Sequence, residues 1–271
     1  VSGPSNLRAN VTTTGNSQTY SGAVTLSADT TLTDAGNILF SSTVDGAYAL
    51  TIVNSGTGDV TFTGAVGGTA PLTGLTITTD VLTAAAINST GTLSVTNGGA
   101  SSITGIIGNG TTALAVTKAG AGTLTLSGAN TYTGGTTITN GVAKVGISST
   151  GTVTNGAFGT GSVTVNSAGA IDLNSYSVAN ALSLSGTGYS SSGALYNSHA
   201  TLGATASGDI TLAGATTIRN STGSGTLTLS GTINGAQALT IKHWPSCFKR
   251  KRWNRYSVNK PFSFWSFNIR S

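Results

Sequence analysis

Apolar and hydroxyl-bearing residues alternate in short runs all along this chain, at residues 24–26, 50–52, 60–62, 75–77, 93–95, 114–116, 124–126, 163–165, 182–184, 210–212 and 227–229. A period of two places Leu, Ile and Val on one side and Thr and Ser on the other, the pattern of a half-buried strand. Gly, Asn and Ser fill the intervals, and runs recur about every ten to twenty residues, as expected for many short strands joined by turns. One unit is visibly reused. Residues 49–64, ALTIVNSGTGDVTFTG, align without gaps on residues 113–128, ALAVTKAGAGTLTLSG. Leu50, Ile52, Val60 and Phe62 then fall on Leu114, Val116, Leu124 and Leu126, and Gly56, Gly58 and Gly64 on Gly120, Gly122 and Gly128.

A unit with an apolar stripe it cannot bury alone must stack on its copies and share one elongated core. The expected fold is therefore all-β, a right-handed parallel β-helix (β-solenoid) over residues 1–241. At about 4.8 Å per stacked strand and about 20 to 25 residues per coil, the body becomes a rod of about ten coils and about 50 Å. A β-sandwich or barrel is the competing fold, and it needs strand pairs of matched length instead of repeated Leu-Thr-Leu units.

Composition supports the all-β reading. Charged residues are 7% of the chain, Gly is 39 of 271 and Glu is absent, so the usual helix formers are scarce while Thr, Ser, Gly, Val and Ile abound. The net charge of +5 averages two unlike parts. Residues 1–241 carry Arg8, Lys118, Lys144 and Arg219 against seven Asp, a balance of 4 − 7 = −3, whereas residues 242–271 carry eight Lys or Arg and no acid.

Residues 114–141, LAVTKAGAGTLTLSGANTYTGGTTITNG, resemble the autotransporter-associated β-strand repeat of bacterial surface proteins. The resemblance rests on Lys118, Gly120 and Gly122, on the strand of residues 123–128 with Leu124, Leu126 and Gly128, and on residues 130–136 with Tyr132, Gly134 and Gly135. It implies a passenger displayed or secreted by a Gram-negative bacterium, folding outside the cell and joined to the outer membrane through a β-barrel beyond the present chain. Glycans or proteins of a host cell, or further copies of the chain, are the partners it implies.

After Ile241 the chemistry changes. The last 30 residues hold all three Trp, the only Cys and eight of the 17 aromatics. A basic cluster with Trp253 and Tyr256 has the makeup of a nucleic-acid patch. The competing expectation is translation out of frame from about Lys242, because a one-base shift converts every Trp codon to Gly and restores the body's composition. On that reading residues 242–271 are disordered, no nucleic acid is bound, and the chain, which opens without Met or a signal peptide, is a processed or excised passenger piece.

Candidate chemistry is sparse. A nucleophile elbow is missing, and His199, flanked by Asn197 and Ser198, reads as a loop residue. The seven Asp are scattered; Asp29 and Asp34 are the pair able to approach, and turn roles account for them. The Gly56 to Asp59 turn has one copy of a Ca²⁺-type pattern that requires serial repeats. Lys118 reads as a solvated turn residue and Tyr132 as a packing residue. No catalytic, cofactor or metal residues are expected, which leaves a structural stalk or adhesin scaffold, with a fragment of an enzymatic passenger or a tail-mediated nucleic-acid binder as alternatives.

Overall fold

The computed structural model describes residues 1–15, 17–108, 113–149, 151–220 and 225–242, and the backbone of Phe248–Arg250. Every strand-to-strand pairing is parallel, and each strand meets its partners one coil earlier and one coil later. Partners lie 18 residues apart at the shortest step, Leu75 to Leu93, and 30 at the longest, Gly186 to Thr216. The result is a β-solenoid of about ten coils; the sandwich alternative fails because among the described residues the one antiparallel pairing is the isolated bridge between Asn130 and Gly156.

Each coil lays down up to three strands, so the rod has three faces. The first carries Ser5–Leu7, Val24–Leu26 and Val44–Asp45, continues as single bridges through Val66, Ile87 and Ile107, and resumes at Ser177–Val178, Ala204–Ala206 and Leu227–Leu229. The second runs from Val11–Thr12 through Thr30–Asp34, Ala49–Asn54, Gly74–Thr79, Thr92–Asn97 and Ala115–Ala119. The third runs from Gln18–Tyr20 through Ile38–Phe40, Val60–Phe62, Leu82–Ala84, Ala100–Ile103 and Thr123–Leu126. From Thr136–Val145 onward single long strands, also Val163–Asp172 and Ile210–Asn220, cross from second to third face and fuse them into one sheet.

Register fixes the interior. On the second face Leu32, Ile52, Ile77, Val95, Lys118, Ile138, Val165, Leu184 and Leu212 form one inward column. One place outward, Thr31, Thr51, Thr76, Ser94, Thr117, Thr137, Thr164, Ser183 and Thr211 form an unbroken hydroxyl column. On the third face Tyr20, Phe40 and Phe62 stack, with ring centroids 4.9 and 4.8 Å apart. All three are buried, so one aromatic pillar closes the first three coils.

The gapless repeat alignment is correct on the third face and slips by two residues on the second. Phe62 reaches Leu126 through Ala84 and Ile103, as aligned. Leu50, however, reaches Val116 through Leu75 and Leu93, whereas the alignment set it on Leu114. A shift of two keeps every apolar residue inward, so alternation does not detect it. The expectations for the tail concern residues 242–271, of which Lys242 ends the strand Leu239–Lys242 and the backbone of Phe248–Arg250 pairs parallel with Leu227–Leu229, the others lying outside the described residues.

Phe40 is held on both ring faces, so Phe40→Ala is expected to cost about 3–5 kcal/mol. Thr61→Ala, outward in the neighbouring coil, should stay within about 0.5 kcal/mol. Denaturation followed by far-UV circular dichroism separates the two, and equal losses would contradict the pillar.

Candidate functional site

A coil that turns from one face to the next swings peptide carbonyls toward the core, and each needs a donor there. At the corner between second and third faces the chain supplies a buried polar side chain in coil after coil. Asp34 accepts hydrogen bonds from the Ala35 and Gly36 amides at 2.7 and 3.0 Å and from the Thr13 hydroxyl at 2.7 Å. Asn54, stacked on it, donates to the Gly36 carbonyl at 2.7 Å. Thr79 donates to the Gly58 carbonyl at 3.0 Å, and Asn97 to the carbonyls of Gly99 and Thr123 at 2.7 and 3.0 Å.

Lys118 continues this ladder, and its placement overturns the expectation of a solvated turn residue. It lies on the strand Ala115–Ala119, alternating with inward Val116, and is 1% exposed between Val95 and Ile138. Its aliphatic stem fills an Ile or Val position of the column while Nζ extends to the corner. There it donates to the carbonyls of Ala119, Gly120 and Asn140 at 2.6, 2.8 and 3.2 Å. Three acceptors saturate the ammonium. Burial pushes its pKa down to about 8.

The glycines of the motif make room for that head. Gly120 and Gly141 both take left-handed φ, +76° and +73°. A Cβ on Gly141 would stand 2.8 Å from Nζ, so a side chain there would compete with the ammonium for its cradle. Gly134 and Gly135 return the next coil onto the last: the Gly134 amide donates to the Leu114 carbonyl at 2.9 Å and the Val116 amide to the Gly135 carbonyl at 3.0 Å. Leu124 and Leu126 are buried and stack on Ala143 and Val145, while Gly122 sits against the Asn97 amide and Gly128 against Asn130 Oδ1. Tyr132 is fully buried, its hydroxyl 2.6 Å from that of Thr136.

One further constellation appears only on stacking. The outward column of the third face, Thr19, Leu39, Thr61, Thr83, Ser102 and Thr125 in the first six coils, becomes Lys144, Asp172, Tyr196, Arg219 and Lys242 in the next five. Asp172 is 3% exposed, accepts from the Asn174 and Ser198 amides at 2.9 and 3.0 Å, and lies 3.9 Å from Lys144 Nζ. Burial raises the pKa of Tyr196, and the Asp172 charge adds to this against Arg219. These five residues stand 23 to 28 positions apart in sequence, and only the coil register could have brought them together on paper. The row holds a single carboxylate engaged by amides and Lys144, so the acid and base pair of glycoside hydrolysis is not assembled there.

The remaining expected positions have local roles. His199 Nδ1 accepts from the amides of Thr201 and Leu202, at 3.3 and 3.0 Å, and shapes its own loop. Asp29 accepts from the Ala49 amide at 2.8 Å and Asp59 from the Val81 amide at 3.2 Å, each tying one coil to the next.

Residues 116–142 match the family model of the passenger-associated-transport-repeat. The matched stretch runs from the strand that holds Lys118 to just past Gly141, the glycine that borders its head, and so covers one coil and the start of the next. No curated protein and no solved structure matches the chain. Repeat and β-solenoid together fit an autotransporter passenger built of β-helical repeats. Among the described residues no helix is long and apolar enough to cross a membrane, which leaves membrane β-barrels unaddressed.

Because the folded pKa of Lys118 lies below its value of 10.5 in the unfolded chain, the unfolded state binds more protons between these values. Stability therefore rises with pH across about 8 to 10.5, and is lower by a constant amount below that window. Lys118→Met fills the same column but strips three carbonyls of their donor, and should cost about 1–3 kcal/mol at neutral pH while flattening that rise. Urea titrations at pH 7 and pH 10 measure both; an unchanged pH slope in the variant would refute the assignment.

Proposed function

We propose that this chain is a non-enzymatic passenger segment, secreted or held at the bacterial surface, that works as a stiff stalk and display scaffold. The observation that carries this reading is the Lys118 cradle. The most distinctive residues of the matched repeat are spent on closing a corner of the solenoid, and none of Lys118, Gly120, Tyr132 or Gly141 is presented to a ligand. A repeat whose specific chemistry is internal serves the continuation of the rod. Each coil offers a complete row of backbone donors and acceptors to the next, so folding can advance coil by coil as the chain emerges from a membrane.

The scattered carboxylates support the non-enzymatic reading, since Asp29, Asp34, Asp59 and Asp172 all serve backbone amides. The outward hydroxyls keep the rod wet without charge, suited to holding a partner domain away from a membrane.

The test joins the chain to a secretion signal and an outer-membrane β-barrel and counts surface-exposed protein on intact cells by antibody labelling. Removing residues 116–142, one coil and the start of the next, is expected to reduce display well below that of the intact chain, and Lys118→Met to reduce it in part. Full display without residues 116–142 would sink the proposed role of the repeat.

A further inference from the structure

Charge is scarce on this rod, and most of its accessible positive charge stands in one line. Among the described residues four Lys and Arg side chains are not buried, and three of them, Lys144, Arg219 and Lys242, belong to the outward row of the third face. Asp172 answers Lys144 at 3.9 Å. Arg219 and Lys242 are register partners in adjacent coils, about 4.8 Å apart along the rod, and among the described residues no Asp pairs with either. Residues 243–271 contain no Asp or Glu that could do so. Like charges on neighbouring strands repel, and a bound anion would relieve that repulsion.

A second feature marks the same place. Among the described residues four that are not glycine take left-handed φ, Asn174, Ser175, Ser190 and Ser191, and all four lie in loops beside this row. Asn174 comes two residues after Asp172 and donates its amide to that carboxylate. Ser190 and Ser191 sit in the loop of residues 187–193, which leads into Leu195–Asn197, the strand of Tyr196, and packs on the strands of Lys144 and Asp172. The next outward positions before those two, Val142 and Ala170, are buried, so the row is walled on that side. From the other side the Ser198 amide reaches Asp172. Strained backbone of this kind gathers at ligand clamps, where it holds groups in place. Between Asp172 and Arg219 stands half-buried Tyr196, its phenol kept protonated by burial and by the Asp172 charge against Arg219. It sets an aromatic ring and a hydroxyl donor beside the two cations.

We propose that Tyr196, Arg219 and Lys242 bind a carboxylate-bearing polysaccharide, its carboxylate between the two cations and the adjoining sugar against the Tyr196 ring. A planar guanidinium meets a carboxylate through two parallel hydrogen bonds, and Lys242 adds a compact charge. The flanking loops carry Thr187, Ser190, Ser191, Ser192, Ser198 and Thr201, hydroxyls that suit a sugar chain better than the apolar and aromatic anchors of a peptide. A nucleic acid or a densely sulfated chain is disfavoured, because its closely spaced charges would meet Asp172 and the net negative body of residues 1–241. A glycan with one carboxylate in every two sugars sets a single charge at the pair. Such binding does not depend on display of the chain at a cell surface.

The experiment titrates the full 271-residue chain with a hexasaccharide of alternating glucuronate and N-acetylglucosamine, followed by calorimetry. Saturable binding is expected, about tenfold weaker in Arg219→Gln and in Lys242→Gln and partly restored in Arg219→Lys. Arg8→Gln, which removes an exposed cation outside the row, should bind as the unmodified chain does. So should Lys251→Gln with Arg252→Gln, in the basic tail. Circular dichroism checks that each variant folds, and Lys242→Gln decides the matter if Arg219→Gln does not. Absence of binding by the unmodified chain would overturn the proposal, as would equal loss in Arg8→Gln or in the tail variant. Tighter binding of a heparin hexasaccharide or of dodecathymidylate, falling steeply with salt, would overturn it in favour of a general polyanion patch.

Discussion

The structure depends on one constraint, parallel in-register hydrogen bonding between each coil and the next. An amide in one coil donates to a carbonyl one coil away, as Val24 does to Thr43 and Val60 to Val81, so a residue's neighbours are chosen by its place in the coil. Side chains then stand in columns of near-equivalent environment. In such a column Leu32, Ile52, Ile77 and Val95 need not interlock as a jigsaw; they repeat one packing solution. The same constraint makes the core thin and long, and leaves the turns as the places where stability is decided.

Turns expose the weakness of a solenoid. Every corner brings backbone polar groups toward a dry interior, and an orphaned buried carbonyl costs about 1–3 kcal/mol. Short side chains meet this when the corner lies close to the strand end, as with Asn54 and Asn97. In the sixth coil the strand ends at Ala119 and the place Asn97 holds one coil earlier falls to Gly120, which has no side chain, so the donor must come from deeper in the column. A lysine does this because its stem can occupy an aliphatic site while its ammonium covers three carbonyls. The charge is costly to bury, which its lowered pKa records, and the cradle formed around Gly120 and Gly141 makes it tolerable.

Much of this was legible in the sequence. Alternation of Leu, Ile and Val with Thr and Ser identified which residues face inward, and the repeat of residues 49–64 at 113–128 pointed to stacked coils. Lys118 reads as exposed when its charge alone is weighed, although its parity with Val116 on a strand places it inside. The two-residue slip on the second face escaped because alternation is blind to even shifts; loop lengths, which vary from coil to coil, carry the missing information. The row from Lys144 to Lys242 was illegible for a related reason. Steps of 28, 24, 23 and 23 residues follow no fixed period, and only coordinates supply the register that joins them.

Inner and outer columns answer to different demands. An inward position is held to apolar or corner-satisfying residues by the coils above and below. An outward position adjoins chiefly its column neighbours and solvent, or as at Asp172 the amides of a covering loop, so its chemistry can change without disturbing the stack. The third face shows this directly: its outward column passes from hydroxyls to Lys144, Asp172, Tyr196, Arg219 and Lys242 while Leu126, Val145 and Leu195 stay buried beneath. The second face keeps a hydroxyl at the corresponding place over nine coils despite the same freedom. Thr and Ser suit that place because each joins a compact side chain that fits the pleated surface to a hydroxyl that stays in water, so the same solution can recur at every rung.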